Sequence, residues 1–363
     1  MRRLITAACA AGLGVTLSAT VAASATATAS STIVVRPGQS IQAAVNRARP
    51  GDTILIKPGV YHQSVQIRKN GITLRGSGDF RGGTVLKPPA SFPKTLCNGA
   101  FGPTGVCVLA RKLNTKTGAV LAPVRNVRVT ALRVANFPAN GVFGYGTVGL
   151  RVTRVAAIND GDYGISRFAS SRTVFANDIA IGNDEAGFYV GDSPHADTVV
   201  RDNRARGNLF GIFIRHARHM LITGNRLSRN CQGILVLDDG QPGGAGNTTI
   251  RENSVFRNNK FCPKNEETPV DIHGGGIWLL GATHTRVVRN SVQGNRGQQV
   301  NSGGIVVLSA HKLTGGSNPR FDLIARNTAF RDRPADLIWD GTGRHVTFRA
   351  NRCRRSIPAG LCH

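Results

Sequence analysis

The chain has 363 residues, with 46 Lys and Arg against 20 Asp and Glu, and a formal net charge of +26. A charge of this size drives association with polyanions and leaves the fold open. The basic residues are mostly Arg spread along the chain, with no dense Lys/Arg run and no basic helix, which excludes a disordered nucleic-acid tail.

Residues 1–30 read as an export signal. Arg2 and Arg3 form a positive start, and residues 4–23 carry no charge. Ala23-Ser24-Ala25 and Ala25-Thr26-Ala27 both fit a small-x-small cleavage site. The stretch is rich in Ala, Thr and Ser, too weakly apolar for a membrane anchor. No later segment approaches about 20 apolar residues, so a secreted protein without membrane insertion is expected. Cys9 falls inside the signal, and six cysteines remain. In an oxidising compartment they are expected to form disulfides, and sequence proximity favours Cys97–Cys107, Cys231–Cys262 and Cys353–Cys362.

Residues 31–363 read as one domain. Residues 39–49 form the one convincing helix, with Ile41, Ala44, Val45 and Ala48 on one face. Ser40 can cap its start, and Pro50-Gly51 stops it. The helix would cover the open end of a run of repeats. Gly141, Gly164, Gly187, Gly211 and Gly233 each open an alternating apolar run, at spacings of 23, 23, 24 and 22 residues. Gly276 and Gly304 continue the pattern after longer spacings of 43 and 28 residues, which mark insertions. Between these glycines, an apolar strand ends in Asn and a second Asn stands five residues on: Asn203 and Asn208, Asn225 and Asn230, Asn253 and Asn258, Asn290 and Asn295. Asn327 with Asp332 keeps the spacing. The period is too short for a βαβ unit and has no helical periodicity. It fits three short strands and three turns per coil, with stacked coils sharing one core and stacked Asn side chains forming ladders. The expected fold is all-β: a single-stranded right-handed parallel β-helix of about ten coils, clearest over residues 124–352. The 39–49 helix caps one end and residues 353–363 the other, because an uncovered end is an exposed strand edge.

The opening segment, with Gly-Asp-Thr-Ile-Leu-Ile-Lys-Pro-Gly-Val-Tyr at 51–61 and Ile-Thr-Leu-Arg-Gly-Ser-Gly at 72–78, resembles the start of right-handed β-helix proteins of the pectin-lyase-like superfamily. The Gly-Ile-x-Val and Asn repeats are similar to its parallel β-helix repeats, including the NosD-like branch. These motifs are turn and core residues that every member needs, so they specify fold and not activity.

Aligning the repeats places Asp192, His216 and Asp238 in one column, five residues after successive glycines, with Arg215 and Asp239 as neighbours. These five are the candidate catalytic residues. Superfamily members that eliminate across uronate polymers neutralise the sugar carboxylate, remove the neighbouring carbon-bound proton with a base, and assist the leaving oxygen. His216 or Arg215 can serve as base or neutraliser, and Asp192, Asp238 and Asp239 as ligands for Ca²⁺, with no other cofactor expected. Tyr189, Phe213 and Trp278 form an outward aromatic column that can bind sugar, or pack under a loop. His195, His219 and His284 fall eight residues after their glycines, and His273 lies in the long insertion. His195, His219 and His273 join the aromatic column as candidate substrate contacts. Asp192-Ser193-Pro194-His195-Ala196-Asp197 is similar to the Asp-Pro-His-Asp signature of alginate C5-epimerases, with two residues more. Asp238-Asp239-Gly240, with His273-Gly274-Gly275 further on, resembles elements of polygalacturonase-type hydrolases.

Three functions are compatible with these residues. The favoured one is a secreted protein acting on an acidic polysaccharide as a lyase or uronate epimerase. The others are a non-catalytic binding protein for anionic cell-wall or matrix polymer, and a NosD-like metal-handling protein. The expected partner is an anionic polysaccharide and no specific nucleic acid, and the chain is expected to be a monomer. Peptide mapping without reduction should recover the links 97–107, 231–262 and 353–362, whereas a link between distant coils would contradict the layered register.

Overall fold

The computed structural model describes residues 30–79, 82–265, 268–299 and 302–363. The export signal expected at the start of the chain, Ser30 apart, lies outside the described residues, as does Cys9.

Each regular coil contributes three short strands, which pair in parallel with their counterparts one coil along, whereas the short pairs Lys112–Leu113 with Val120–Ala122 and Phe261–Cys262 with Ile272–His273 are antiparallel. One coil shows the pattern. Thr198–Arg201 lies on the first face, and the chain turns through Asp202 and Asn203. Arg204–Arg206 forms the second face. After Gly207 and Asn208, Phe210–Thr223 runs along the third face, through the corner and onto the next first face. Alternation decides which side chains go in. In the third-face column, Phe188, Ile212, Ile234, Ile277, Ile305 and Leu337 stack coil on coil and are fully buried. Each such side chain removed from water contributes about 1.5–3 kcal/mol, so the interior column is the main favourable term.

The repeat glycines are required by close stacking. A Cβ on Gly187 would lie 2.9 Å from the Gly211 carbonyl oxygen, and one on Gly211 would lie 2.6 Å from that of Gly233. The Asn pairs form two continuous ladders. At the turn between first and second faces, Asn203, Asn225, Asn253, Asn290, Asn327 and Asn351 are joined in order, each backbone N–H donating to the next carboxamide oxygen. At the turn into the third face, Asp160, Asn183, Asn208, Asn230, Asn258, Asn295 and Asp332 are joined in the same way. The carboxamide N–H groups also donate to carbonyls of the preceding coil, as Asn230 does to Ala205 at 3.2 Å. Turn amides that the parallel ladder leaves unpaired are thereby satisfied in a dry interior.

The expected helix lies on the first coil and is two residues shorter at each end than the expected 39–49. Ile41–Arg47 is helical, Ser40 caps it by accepting from the Ala43 N–H, and Ile41, Ala44 and Val45 pack onto the first coil. At the other end Ser356–Ile357 adds a last third-face strand. All three expected disulfides are present: Cys97–Cys107, Cys231–Cys262 and Cys353–Cys362.

Asp332, like Asp160 at the other end of its ladder, carries a carboxyl where the coils between carry an amide. Burial raises its pKa to about 8, against opposing hydrogen bonds from Asn295. The folded state therefore holds this proton more tightly than the unfolded chain, whose carboxyl titrates near 4. Its stabilising contribution is complete below that pH and is lost as pH rises towards about 8. Asp332→Asn is expected to raise stability at pH 8 by about 1 kcal/mol and to flatten the decline between pH 5 and pH 8. Chemical denaturation at the two pH values measures this, and an unchanged decline would relieve Asp332 of the role.

Candidate functional site

The corner after most third-face strands turns through a left-handed residue. Ala169, Asp192 and His216 hold φ of +45°, +49° and +49° at equivalent positions, and Gly281 takes +69°. Pairing of Gly191 with Arg215 and of Ser193 with Ala217 puts Asp192 directly beside His216. His216 Nδ1 is 3.1 Å from Asp192 Oδ1, and its Nε2 faces Asp239 Oδ1. Arg215 donates from Nε and Nη2 to Asp239 Oδ2, each at 2.7 Å. Four of the five expected catalytic residues thus form one chain of contacts: Asp192, His216, Asp239, Arg215. The ring of His216 is buried, with 2% of its side chain exposed, whereas Asp192 and Arg215 keep 51% and 40%. Burial opposes the Arg215 cation, but hydrogen bonding and attraction to Asp239 outweigh it and raise its pKa. Arg215 also bonds the Tyr189 hydroxyl, whose pKa is pushed up by burial and by Asp192.

Asp238 holds the expected column position but does another job. Its Oδ1 accepts from the Gly240 N–H at 3.0 Å and its Oδ2 from the Ser317 N–H at 3.2 Å. Its carbonyl accepts from the Thr314 hydroxyl at 3.0 Å. The chain leaves the coil after Leu237 without the left-handed turn, and Asp239, the residue after Asp238, reaches His216 instead. The expectation of Ca²⁺ on Asp192, Asp238 and Asp239 does not fit this arrangement. The first and third face the imidazole from either side, and the second is held by backbone amides. Among the described residues no three His, Cys, Asp or Glu side chains converge as a metal site.

The aromatic column stands in register, Tyr189 beside Phe213, then Leu235 and Trp278. It is not an open platform: the three rings are 1%, 6% and 4% exposed. They form a second apolar cluster outside the solenoid, with Ile272, Leu280, Leu308 and the Cys231–Cys262 link. The reason is the long insertion after Gly233, which folds back across the third face. A cleft of about 360 Å³ remains between Thr268–Val270 of that insertion and Leu313 and Thr314 of the short helix His311–Thr314. Phe213 and Trp278 line its floor, with Arg215 and Asp239 in its wall. The Trp278 indole N–H has no hydrogen-bond partner among the described residues. A second depression of about 640 Å³ is lined by Asp192, His195 and Tyr145. His216 stands between the two.

His195 and His219 stack at 6.0 Å between ring centroids, although they do not share a column. Two extra residues, Pro194 and His195, enlarge the corner, so the register partner of His219 is Asp197. His219 does share its column with His284, through Asn247. His273 packs edge-on against Phe261, with ring centroids 5.8 Å apart, and does not line the cleft.

Repeat alignment does not single out Arg167. It occupies an inward position between Gly144 and Val190, is fully buried, and has no carboxylate partner among the described residues. Burial lowers its pKa to about 9, against the attraction of Asp197. Its guanidinium donates to the Ser170 carbonyl at 2.6 Å, to the Ser193 hydroxyl, and to the Thr198 hydroxyl at 2.5 Å. It braces from inside the corner that carries Asp192 and His195. The readable signal was Gly144, which breaks the apolar inward column and leaves room for a long side chain.

Residues 140–314 match the family described as right handed beta helix region. No curated protein matches the chain. Among solved structures, the A-module of the mannuronan C-5 epimerase AlgE6 of Azotobacter vinelandii is 17% identical, covering 87% of this chain and 95% of that one, with a TM-score of 0.56. An alginate lyase from Paenibacillus sp. str. FPU-7 is 16% identical over 87% of this chain and 99% of that one, TM-score 0.60. The periplasmic alginate epimerase AlgG is 12% identical over 89% and 84%, TM-score 0.58. At these identities the likeness is one of fold: the protein is a right-handed parallel β-helix.

Removing Arg167 would leave a void and take from the buried Ser170 carbonyl its guanidinium donor. Arg167→Ala is expected to cost about 2–5 kcal/mol in denaturant unfolding. A change below about 0.5 kcal/mol, the range of ordinary surface substitutions, would show that the guanidinium braces nothing.

Proposed function

We propose that the protein acts on an acidic polysaccharide by removing the proton from the carbon that bears a uronate carboxylate, as a lyase or an epimerase. The observation that carries this reading is the chain Asp192–His216–Asp239–Arg215, set between two depressions on one face of the solenoid. Arg215, held by Asp239 and open to solvent, pairs with the sugar carboxylate and stabilises the charge that develops when the neighbouring proton leaves. Asp192 is the exposed carboxylate that takes that proton. His216 is too buried to touch substrate. It orients Asp192 through Nδ1, and Asp239 fixes the ring from the other side. The carbanion then either expels the linked oxygen, which takes up a proton from water as the double bond forms, or regains a proton from water on the opposite face; the first is elimination, the second epimerisation.

Other features agree with this reading. The solved structures of similar fold include proteins named as alginate epimerases and an alginate lyase. The net charge of +26 favours a polyanionic substrate. Three disulfides favour an oxidising compartment. No described helix is long and apolar enough to cross a membrane.

The test uses alginate and polygalacturonate, following absorbance of unsaturated product for elimination and proton NMR for inversion at the carbon bearing the carboxylate. Asp192→Asn, tolerated at a left-handed position, is expected to lower turnover at least about 100-fold with unchanged thermal unfolding. Asp238→Ala is expected to lower the unfolding temperature through the loss of its two amide bonds. Full activity in Asp192→Asn would remove the proposed base, and a wild-type protein that leaves both polymers unchanged would remove the enzymatic reading.

A further inference from the structure

The second face carries a feature separate from the corner that bears Asp192 and His216. Its outward positions on consecutive coils are Arg204 and Arg206, then Arg226, all exposed. Arg229 and Arg257 come next at the adjoining turn, also exposed, with φ of +58° and +51°. Gly182, Gly207 and Gly294 hold left-handed conformations at the same turn in other coils. A left-handed backbone costs a residue with a Cβ roughly 1–2 kcal/mol, a cost that glycine avoids. Neighbouring coils are about 4.8 Å apart, so Arg204 with Arg226 and Arg229 with Arg257 form two short files along the solenoid axis, with Arg206 between them, a row of arginines over three coils.

The row lines a furrow. Two depressions of about 480 and 360 Å³ share Arg226 and Phe256 and therefore adjoin. Neither lining contains an Asp or Glu. This contrasts with the neighbouring corner, where Arg201 pairs with Asp202, and Arg251 and Arg289 pair with Glu252. The Arg226 guanidinium lies over the Phe256 ring, 4.5 Å from its centroid. The remaining lining includes Ser254, Ser291 and Gln293, short polar groups suited to sugar hydroxyls.

We propose that this furrow is a second, non-catalytic binding site for a linear polyuronate, lying along the solenoid axis with its carboxylates on the arginine row. The occupant is argued from charge and shape. A polyuronate carries one carboxylate per sugar, a spacing close to one coil, and guanidinium groups bind carboxylates through paired donors. Single-stranded nucleic acid would call for a series of aromatic stacking surfaces, and this furrow has one ring already covered by Arg226. The inference shares its polymer class with the function proposed above but uses a different face. It would hold the chain on its polymer while the third-face site works on one sugar.

The experiment separates the two sites by substrate length. Binding of high-mass polygalacturonate and alginate is measured by co-sedimentation in the Asp192→Asn protein, and turnover of short oligouronates in the otherwise unchanged protein. R226Q/R229N/R257N is expected to weaken polymer binding at least tenfold and to reduce its salt sensitivity, while turnover of a tetrasaccharide stays at the wild-type level. Should that variant fold poorly, R204S/R206S provides the same readout from the strand. The lysine variant R226K/R229K/R257K should retain most of the binding. Polymer binding unchanged in folded variants would overturn the proposal. So would loss of polymer binding in Asp192→Asn alone, which would place all of it at the third-face site. Tighter binding of single-stranded DNA than of polygalacturonate, through the same arginines, would overturn it in favour of nucleic acid. Absence of tetrasaccharide turnover with polymer binding intact would defeat the catalytic reading and leave the furrow standing.

Discussion

Everything in this molecule depends on the hydrogen-bonded ladders of buried Asn at the two tight turns. A parallel sheet alone fixes strands only loosely along their length, and a slip of one residue would exchange the inward and outward faces. Each Asn accepts from the backbone of the preceding coil and donates to its carbonyls, as Asn230 does between Asn208 and Ala205. Such a carboxamide has a single position in which its bonds are made, and a buried carboxamide without them would cost about 1–3 kcal/mol. The ladders therefore set the register, and the register sets which side chains meet on neighbouring coils. Asp192 lies against His216 because the coils that bear them are locked in this phase.

Within that frame, small local departures create the site. The regular corner is a left-handed residue that Ala, Gly or Asp can fill. Two extra residues after Ser193 widen it, Arg167 supports it from inside, and the chain's exit after Leu237 brings Asp239 across to His216. The long insertion beyond it covers an aromatic column which would otherwise lie open, and turns a flat face into a cleft. A repeat fold thus obtains a site from the places where the repeat fails, since the repeating positions are already engaged in stacking.

The charge of the protein is distributed in the same way. Arginines near the first corner are paired with acids, Arg215 is fixed by Asp239, and Arg167 is sealed in the core among hydroxyls and carbonyls. Those on the second face line a furrow without carboxylates. One net charge therefore contains cations with four different tasks, and only their surroundings tell them apart.

The sequence by itself determined the solenoid, its three-strand coil, the capping helix, the three disulfides and the alignment of Asp192 with His216. All of these depend on short-range spacing: glycines where carbonyls pass closely, Asn where turns need side-chain partners, cysteines close in the chain. It also singled out Asp239 as a neighbour of the site, but could not rank it above Asp238, because one residue's shift at the mouth of an insertion has no periodic signature. It placed the aromatic column correctly in register and left open whether a loop covered it. Only the tertiary structure decided that the rings are covered, that His216 is buried behind Asp192, that Arg167 points inward, and that the second-face arginines share a furrow without acids. The physical reason is the same in each case. Repeat spacing specifies which backbone positions stack, whereas the path of an insertion and the direction of a long side chain depend on contacts between segments whose separation in sequence carries no pattern.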